Sequence, residues 1–252
     1  MSKHKCEVIA VIPARMGSTR FPGKPIKKIC GKPMIQHVFE NCKNCKDVDR
    51  TIIATCDQEI KEVATSFGAE VVMTSPTHDR CTDRVAEAVQ KINADIVVVM
   101  QGDEPMVTSQ MISQSIEALK LNTDAFTVNL VSKIDDISEI NDPNEVKVVK
   151  SNDNFALYFS RSGLPSFSKS KSKNIFSYKQ ICAIPMKKKN LQLFNQLPPT
   201  PLEEIESIDM LRVLEHGYKI KCVEVETLCY SVDTIEDLEK VESIMSKPSV
   251  KQ

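Results

Sequence analysis

The stretch Val8 to Lys24, VIAVIPARMGSTRFPGK, constrains this chain most, because three cations and two glycines share one loop immediately behind an apolar run. Val8-Ile9-Ala10-Val11-Ile12 is continuously apolar and mostly β-branched, the pattern of a strand buried on both faces. Pro13 is expected to end it. Arg15, Gly17, Ser18, Arg20, Gly23 and Lys24 then bring backbone N–H groups and positive charge to the end of a central strand, where open α/β sheets bind ligands. The guest such a loop suits is a polyphosphate.

Spacing excludes two familiar phosphate loops. A Walker loop has four residues between its glycines and a hydroxyl residue after its Lys. Here five residues separate Gly17 from Gly23, and Pro25 follows Lys24. The dinucleotide pattern G-x-G-x-x-G is also absent. A merely solubilising surface loop is the competing reading, and three cations directly behind a buried strand weigh against it.

The formal charge of −1 offers no bulk attraction to nucleic acid or membrane, so anion binding has to be local. At 252 residues, 41% hydrophobic and 27% charged, the chain is expected to fold as a single α/β domain, 1–252, with a substantial core. MSKHKCEVIAVIP lacks an export-type apolar region, and no run approaches the roughly 18 apolar residues of a membrane span, so a cytoplasmic protein is expected. The nine cysteines then read as reduced thiols, and Cys42-x-x-Cys45 has no second pair at zinc spacing. The four histidines are scattered.

Strands and helices alternate along the first half, the signature of a parallel sheet with crossover helices. Helices are expected after Gly31-Lys32-Pro33 (Ile35, Val38, Phe39 and Cys42 inward), over 59–67, over 83–92 with Thr82 as N-cap, and over 108–121. Strands are expected over 51–55, 70–74 and 95–100. The last empties into Gln101-Gly102-Asp103-Glu104-Pro105, an acidic turn suited to a hard cation. Further on, strands are expected over 125–131, 143–149, 156–161, 179–184 and 219–225, with a Ser-, Lys- and Pro-rich mobile insertion around 162–178. Pro185 is expected to open a helix reaching Leu197, and 202–215 to form one helix with Ile205, Ile208, Leu211 and Leu214 inward. A last helix runs from Ile235 to Met245, with Asp233 or Thr234 as its cap.

A cationic loop, Asp103 at one strand end and Asp233 roughly 130 residues on form a minimal toolkit for phosphoryl-type transfer, which needs positioning and charge neutralisation by cations and magnesium. That set implies a nucleotide substrate.

The residues also carry a resemblance. Ile12-Pro13-Ala14-Arg15, Gly17-Ser18-Thr19-Arg20, Pro22-Gly23-Lys24-Pro25, Gly31-Lys32-Pro33-Met34-Ile35, Gln101-Gly102-Asp103-Glu104-Pro105, Val146-Lys147-Val148-Val149, Ala156-Leu157-Tyr158-Phe159-Ser160-Arg161, Leu211-Arg212-Val213-Leu214 and Val232-Asp233-Thr234 are similar, in order, to the 3-deoxy-manno-octulosonate cytidylyltransferases. The resemblance implies a three-layer Rossmann-like α/β fold with a mixed, mostly parallel sheet, and a homodimer. It implies magnesium-dependent transfer of CMP from CTP to the anomeric hydroxyl of an acidic 2-keto-3-deoxy sugar, releasing pyrophosphate. It assigns Arg15 and Lys24 to the CTP phosphates, the Ala14 region to cytosine, Gln101 to the space between base and sugar, and Asp103 and Asp233 to magnesium. Arg20 joins the substrate loop, and Arg161 and Glu206 are candidates for the sugar acid.

The sugar side departs from the family pattern. Tyr178-Lys179-Gln180-Ile181-Cys182 stands in place of a His-x-Gly-Ile-Tyr strand, Asp209-Met210-Leu211-Arg212 in place of Glu-Gln-Leu-Arg, and Cys81 in place of a glycine. Tyr178 and Met210 therefore mark an altered acceptor pocket, suited to Kdo or a relative such as an 8-amino derivative or a nonulosonic acid. Two other readings compete: a nucleotide-sugar-using glycosyltransferase, and a catalytically degenerate nucleotide-binding subunit.

Overall fold

The computed structural model describes residues 6–17, 21–78, 80–171, 176–227 and 229–247. In chain order, Val8–Ala14 form β1, Lys28–Ile29 and Lys32–Pro33 the small hairpin β2 and β3, Met34–Lys43 α1, Arg50–Thr55 β4, Gln58–Ser66 α2, Glu70–Met73 β5, Cys81–Ala88 α3 and Ile96–Met100 β6. Ser109–Leu121 form α4, Thr127–Ile134 β7, Ile137–Asn141 α5, Lys147–Lys150 β8, Ala156–Ser160 β9, Ser177–Ile181 β10 and Ala183–Lys187 β11. Lys188–Gln196 form α6, Pro201–Glu206 α7, Asp209–Glu215 α8, Ile220–Val225 β12 and Ile235–Met245 α9. The chain divides into two compact units, one running to Ser113 and resuming at Cys229, the other spanning Gln114–Leu228.

The first unit is built on a wholly parallel run of strands in the order β5, β4, β1, β6. Every residue of β1 and β6 is buried, which is why both read as unbroken apolar runs. Pro13 lies inside β1, not beyond it. Its ladder to β6 ends at Val11 opposite Val99, so the N–H that proline lacks removes no bond there. α1 buries the expected Ile35, Val38, Phe39 and Cys42.

The second unit is mixed. β7 pairs antiparallel with β10 and β11 and parallel with β12, and β8 lies antiparallel between β10 and β9. Together the two units give the mixed Rossmann-like α/β class expected from the sequence. No helix among the described residues is long and apolar enough to cross a membrane.

Local physics moved several boundaries. α3 starts earlier than expected, at Cys81, with Arg80 as its N-cap and Thr82 buried within its first turn. Pro185 sits inside β11, where Ala183, Ile184 and Met186 are all buried and its carbonyl accepts from Thr127 Oγ1 at 2.9 Å. α6 therefore starts only at Lys188. Of the expected insertion, Ser177 and Tyr178 belong to β10, and 172–175 lie outside the described residues.

The single helix expected over 202–215 is two, α7 and α8, because Ser207 adopts the left-handed conformation with φ 55°. Ile205 is consequently 78% exposed, not inward. At the start of α7 the Glu203 carboxylate accepts Thr200 N–H at 3.3 Å, one half of a capping box.

Candidate active site

The loop behind β1 is held by an aspartate outside it. Ala14 pairs with Thr55 in the register of β1 and β4, which brings Asp57 level with Met16, and Met16 N–H donates to Asp57 Oδ2 at 2.8 Å. The carbonyl of the same Met16 accepts Gly23 N–H at 3.3 Å, closing the loop. Gly23 takes φ 71°, open to glycine without strain, and starts the 3-10 turn Lys24–Ile26. Ala14 is buried at the strand end and Arg15 is exposed beside it. Ser18, Thr19 and Arg20 lie outside the described residues.

From that turn Lys24 reaches both distant aspartates. Its Nζ donates to Asp103 Oδ2 at 2.8 Å and to Asp233 Oδ1 at 3.1 Å. Asp103 follows β6 through Gly102, where an added Cβ would lie 3.3 Å from the carbonyl oxygen of Pro13, so the acidic turn packs tightly on β1. Gln101, half-buried, opens this turn. Asp233 precedes α9, and the cap question raised by the sequence is decided for Thr234, whose Oγ1 accepts from Asp237 N–H at 3.2 Å. The Asp233 carboxylate thus faces Lys24. Val232 N–H donates to the Asp103 carbonyl at 2.9 Å, joining the two acidic segments directly. Beneath them Val232 packs with Phe21, Ile29, Met34 and Val241 in a buried cluster.

The side chains of Lys24, Asp103 and Asp233 are only 12%, 23% and 14% exposed. Burial works against the Lys24 ammonium, yet the two carboxylates outweigh it and raise its pKa above the ordinary lysine value. Among the described residues one acceptor is left over, for Asp103 Oδ1 is buried and none of them gives it a hydrogen bond. A buried carboxylate oxygen in that condition asks for a cation or a donor from a ligand.

That orphaned oxygen is the test of a magnesium site, and the residues fit. Magnesium is commonly held by one or two carboxylates together with substrate phosphates, so Asp103 and Asp233 suffice for the protein's share. No group of three potential metal-ligating side chains occurs among the described residues.

The candidate sugar-side residues fall in the second unit, in separate settings. Arg161 and Glu206 are joined: Arg161 N–H donates to Glu206 Oε2 at 2.9 Å and its Nε to the Glu206 carbonyl at 2.8 Å. The rest of the guanidinium holds the carbonyls of Pro143 at 2.9 Å and Ser207 at 3.4 Å. Arg161 therefore satisfies carbonyls exposed where α7 breaks off at Ser207. Burial would raise the Glu206 pKa, but the Arg161 N–H and the hydroxyls of Ser160 and Tyr158 overcome it and hold the carboxyl below its usual range.

Tyr178, on β10, lies under Lys150 Nζ at 4.5 Å from its ring centre, and burial together with a hydrogen bond to Glu224 raises its phenol pKa. Gln180 Nε2 donates to Asn129 Oδ1 at 2.6 Å. Met210 is 2% exposed in α8.

Some of these partners were missed in the sequence although a signal existed. Tyr158 and Ser160 stand two apart in a strand, hence on one face, directly before Arg161. Asp57 lies just beyond the end of β4, the strand neighbouring β1, a place where α/β sheets collect functional groups. Arg212 and Glu203 form a buried pair, Nε to Oε2 at 2.7 Å and Nη2 to Oε1 at 2.6 Å, with no periodicity to announce it.

Comparison with known proteins gives the chain a family. A family model described as cytidylyltransferase matches residues 9–220. The 3-deoxy-manno-octulosonate cytidylyltransferase of Thermodesulfovibrio yellowstonii is 43% identical over 250 residues, covering 94% of this chain and 98% of that protein. The mitochondrial 3-deoxy-manno-octulosonate cytidylyltransferase of Arabidopsis thaliana is 39% identical over 246 residues, covering 96% and 84%. Among solved structures, a CMP:2-keto-3-deoxy-manno-octonic acid synthetase complexed with CTP has a TM-score of 0.87 at 35% identity, covering 95% of this chain and 98% of that one. At 14% identity and a TM-score of 0.64, a 4-diphosphocytidyl-2C-methyl-D-erythritol synthase from Anaerococcus prevotii shares the fold alone. A likeness that runs at this identity through nearly the whole of both chains is kinship, and this chain belongs to the 3-deoxy-manno-octulosonate cytidylyltransferase family.

Proposed function

We propose that this chain transfers CMP from CTP to the anomeric hydroxyl of a 3-deoxy-2-ulosonic acid, Kdo or a close relative, and releases pyrophosphate. The observation that carries the reading is the meeting of Lys24 with Asp103 and Asp233, three residues far apart in sequence, at the strand ends behind β1 and β6. In the reaction a sugar-oxygen to α-phosphorus bond forms, the bond between α- and β-phosphates breaks, and the hydroxyl proton is lost as pyrophosphate departs. Lys24, rotatable and charged, takes phosphate oxygens as nucleotide enters. Arg15, exposed at the mouth of the same loop, adds a second cation for the triphosphate, and the loop's N–H groups orient it. Asp103 and Asp233 hold magnesium, which when bound neutralises phosphate charge. The Ala14 backbone and Gln101 flank the base and ribose.

The acceptor belongs among Kdo and its relatives, because relatives named for Kdo transfer match along the chain while Tyr178 and Met210 depart from the family pattern. A cytoplasmic homodimer completes the proposal, and light scattering checks the assembly. The decisive assay couples pyrophosphate release to CTP, compared with UTP, and to a panel of 3-deoxy-ulosonic acids. Pyrophosphate from CTP with one or more of these acids is expected. Release of nucleoside mono- or diphosphate from a nucleotide sugar would instead indicate a glycosyltransferase, and CTP binding without turnover across the panel a degenerate subunit.

A further inference from the structure

We propose that Asp237 is a positioning residue for Asp233, and through it sets the affinity of this site for magnesium; the inference rests on the metal reading above. In an ordinary capping box the acid three residues into the helix accepts the backbone N–H of the cap residue. Asp237 does more. Its Oδ2 accepts Thr234 N–H at 2.9 Å, Thr234 Oγ1 at 2.9 Å and, beyond the cap, Asp233 N–H at 3.0 Å.

Three successive peptide N–H groups at this corner are thereby directed. Val232 N–H goes to the Asp103 carbonyl at 2.9 Å, and those of Asp233 and Thr234 go to Asp237. The first bond ties Asp233's segment to the other metal-binding segment, and the next two tie it to α9. α9 itself is anchored by Val241, fully buried in the cluster that also holds Val232. An aspartate has a single methylene between backbone and carboxylate, so its oxygens follow its Cα closely. Magnesium demands near-ideal octahedral geometry at short range, and a backbone swing at residue 233 is therefore read directly as lost metal affinity.

A purely structural role for Asp237 makes a different prediction, which a pair of variants separates. Thr234→Ala removes the cap hydroxyl but leaves Asp237 able to accept Asp233 N–H, whereas Asp237→Ala keeps the hydroxyl's bond to the N–H of residue 237 and removes the acceptor of Asp233 N–H and Thr234 N–H. Magnesium chloride is titrated calorimetrically into the protein–CTP complex without sugar acid, and thermal unfolding is recorded alongside. Both variants are expected to lower the unfolding temperature by similar amounts. Only Asp237→Ala is expected to weaken magnesium binding, by at least about tenfold, the scale seen when partners of metal ligands are removed. Asp237→Asn, which keeps one acceptor oxygen, falls between wild type and Asp237→Ala and carries the comparison if the alanine variant does not fold.

Unchanged magnesium affinity in Asp237→Ala, or an equal loss in Thr234→Ala, overturns the inference. Asp103→Asn is run in parallel. If it too leaves magnesium binding intact, the metal reading itself has failed, and that result is distinguishable from failure of the positioning role alone.

Discussion

In the first unit Lys24 meets Asp103 and Asp233 through a rotatable ammonium, and Asp103 Oδ1 is left without a partner among the described residues. In the second, Arg212 grips Glu203 with two parallel bonds of 2.7 and 2.6 Å, lies 4.4 Å over the Phe194 ring, and shares its carboxylate with Thr200 N–H at 3.3 Å. Both groups are largely removed from water, but they are finished differently. A planar fork matched to one carboxylate has a single good geometry, whereas an ammonium between two carboxylates can move to a third anion. The fork locks α7 to α8 around a Glu203 that is fully buried. The ammonium and the open oxygen leave one half of an interaction for a ligand to complete.

Breaking the locked pair is expected to have the largest effect. Arg212→Met leaves the Glu203 carboxylate buried without its charge partner and should destabilise the protein by about 3 to 5 kcal/mol, read by denaturant unfolding, with residual activity per folded molecule little changed. At the open group the consequence is reversed. Asp103→Asn should lower kcat by about 10²- to 10³-fold while unfolding shifts little, and pyrophosphate release measured beside the unfolding curve checks both. Retained activity there would remove Asp103 from the metal assignment.

Lys24→Met is expected to cost less, about 10- to 100-fold in kcat/KM, from loss of one charged hydrogen-bonding partner for phosphate. Steady-state kinetics with CTP varied tests it, and an Arg at position 24 should not restore full activity, since its fork geometry differs from a point charge.

The smallest effect sharpens the comparison through pH. Glu206 has a folded pKa below the ordinary glutamate value, so the stability it contributes is present above that value and is lost as pH falls through the lowered one. Acid unfolding of the wild type against Glu206→Gln should therefore show a wild-type advantage at neutral pH that vanishes on acidification. A constant gap at all pH values would show that the hydrogen bonds from Ser160, Tyr158 and Arg161 do not depend on the charge.

Much of the architecture could be read from the chain because its signals are local. Short unbroken apolar runs rich in β-branched residues, such as Ile96–Met100, read as strands buried on both faces, and α1 buries the four residues that its spacing selects. Boundaries failed where a single backbone conformation overrode the period. The 3.6-residue pattern runs on through Ser207, and only its left-handed φ, held beside carbonyls that Arg161 binds, separates α7 from α8. Pro185 likewise carries a helix-start cue that burial of its neighbours in β11 overruled.

The site divides along the same line. Composition and order along the chain were enough to single out the cationic loop, Asp103 and Asp233, because each stands at the end of an apolar strand or the head of a capped helix, and such places are marked by nearest neighbours in sequence. Folding alone decided that the two carboxylates share one ammonium, that Asp57 serves the loop of another strand, that Thr234 relieves Asp233 of capping, and that Arg161 and Glu206 bind each other. Those outcomes depend on distances between segments remote in sequence, and a one-dimensional pattern holds no record of which remote groups the packed strands will bring within 3 Å.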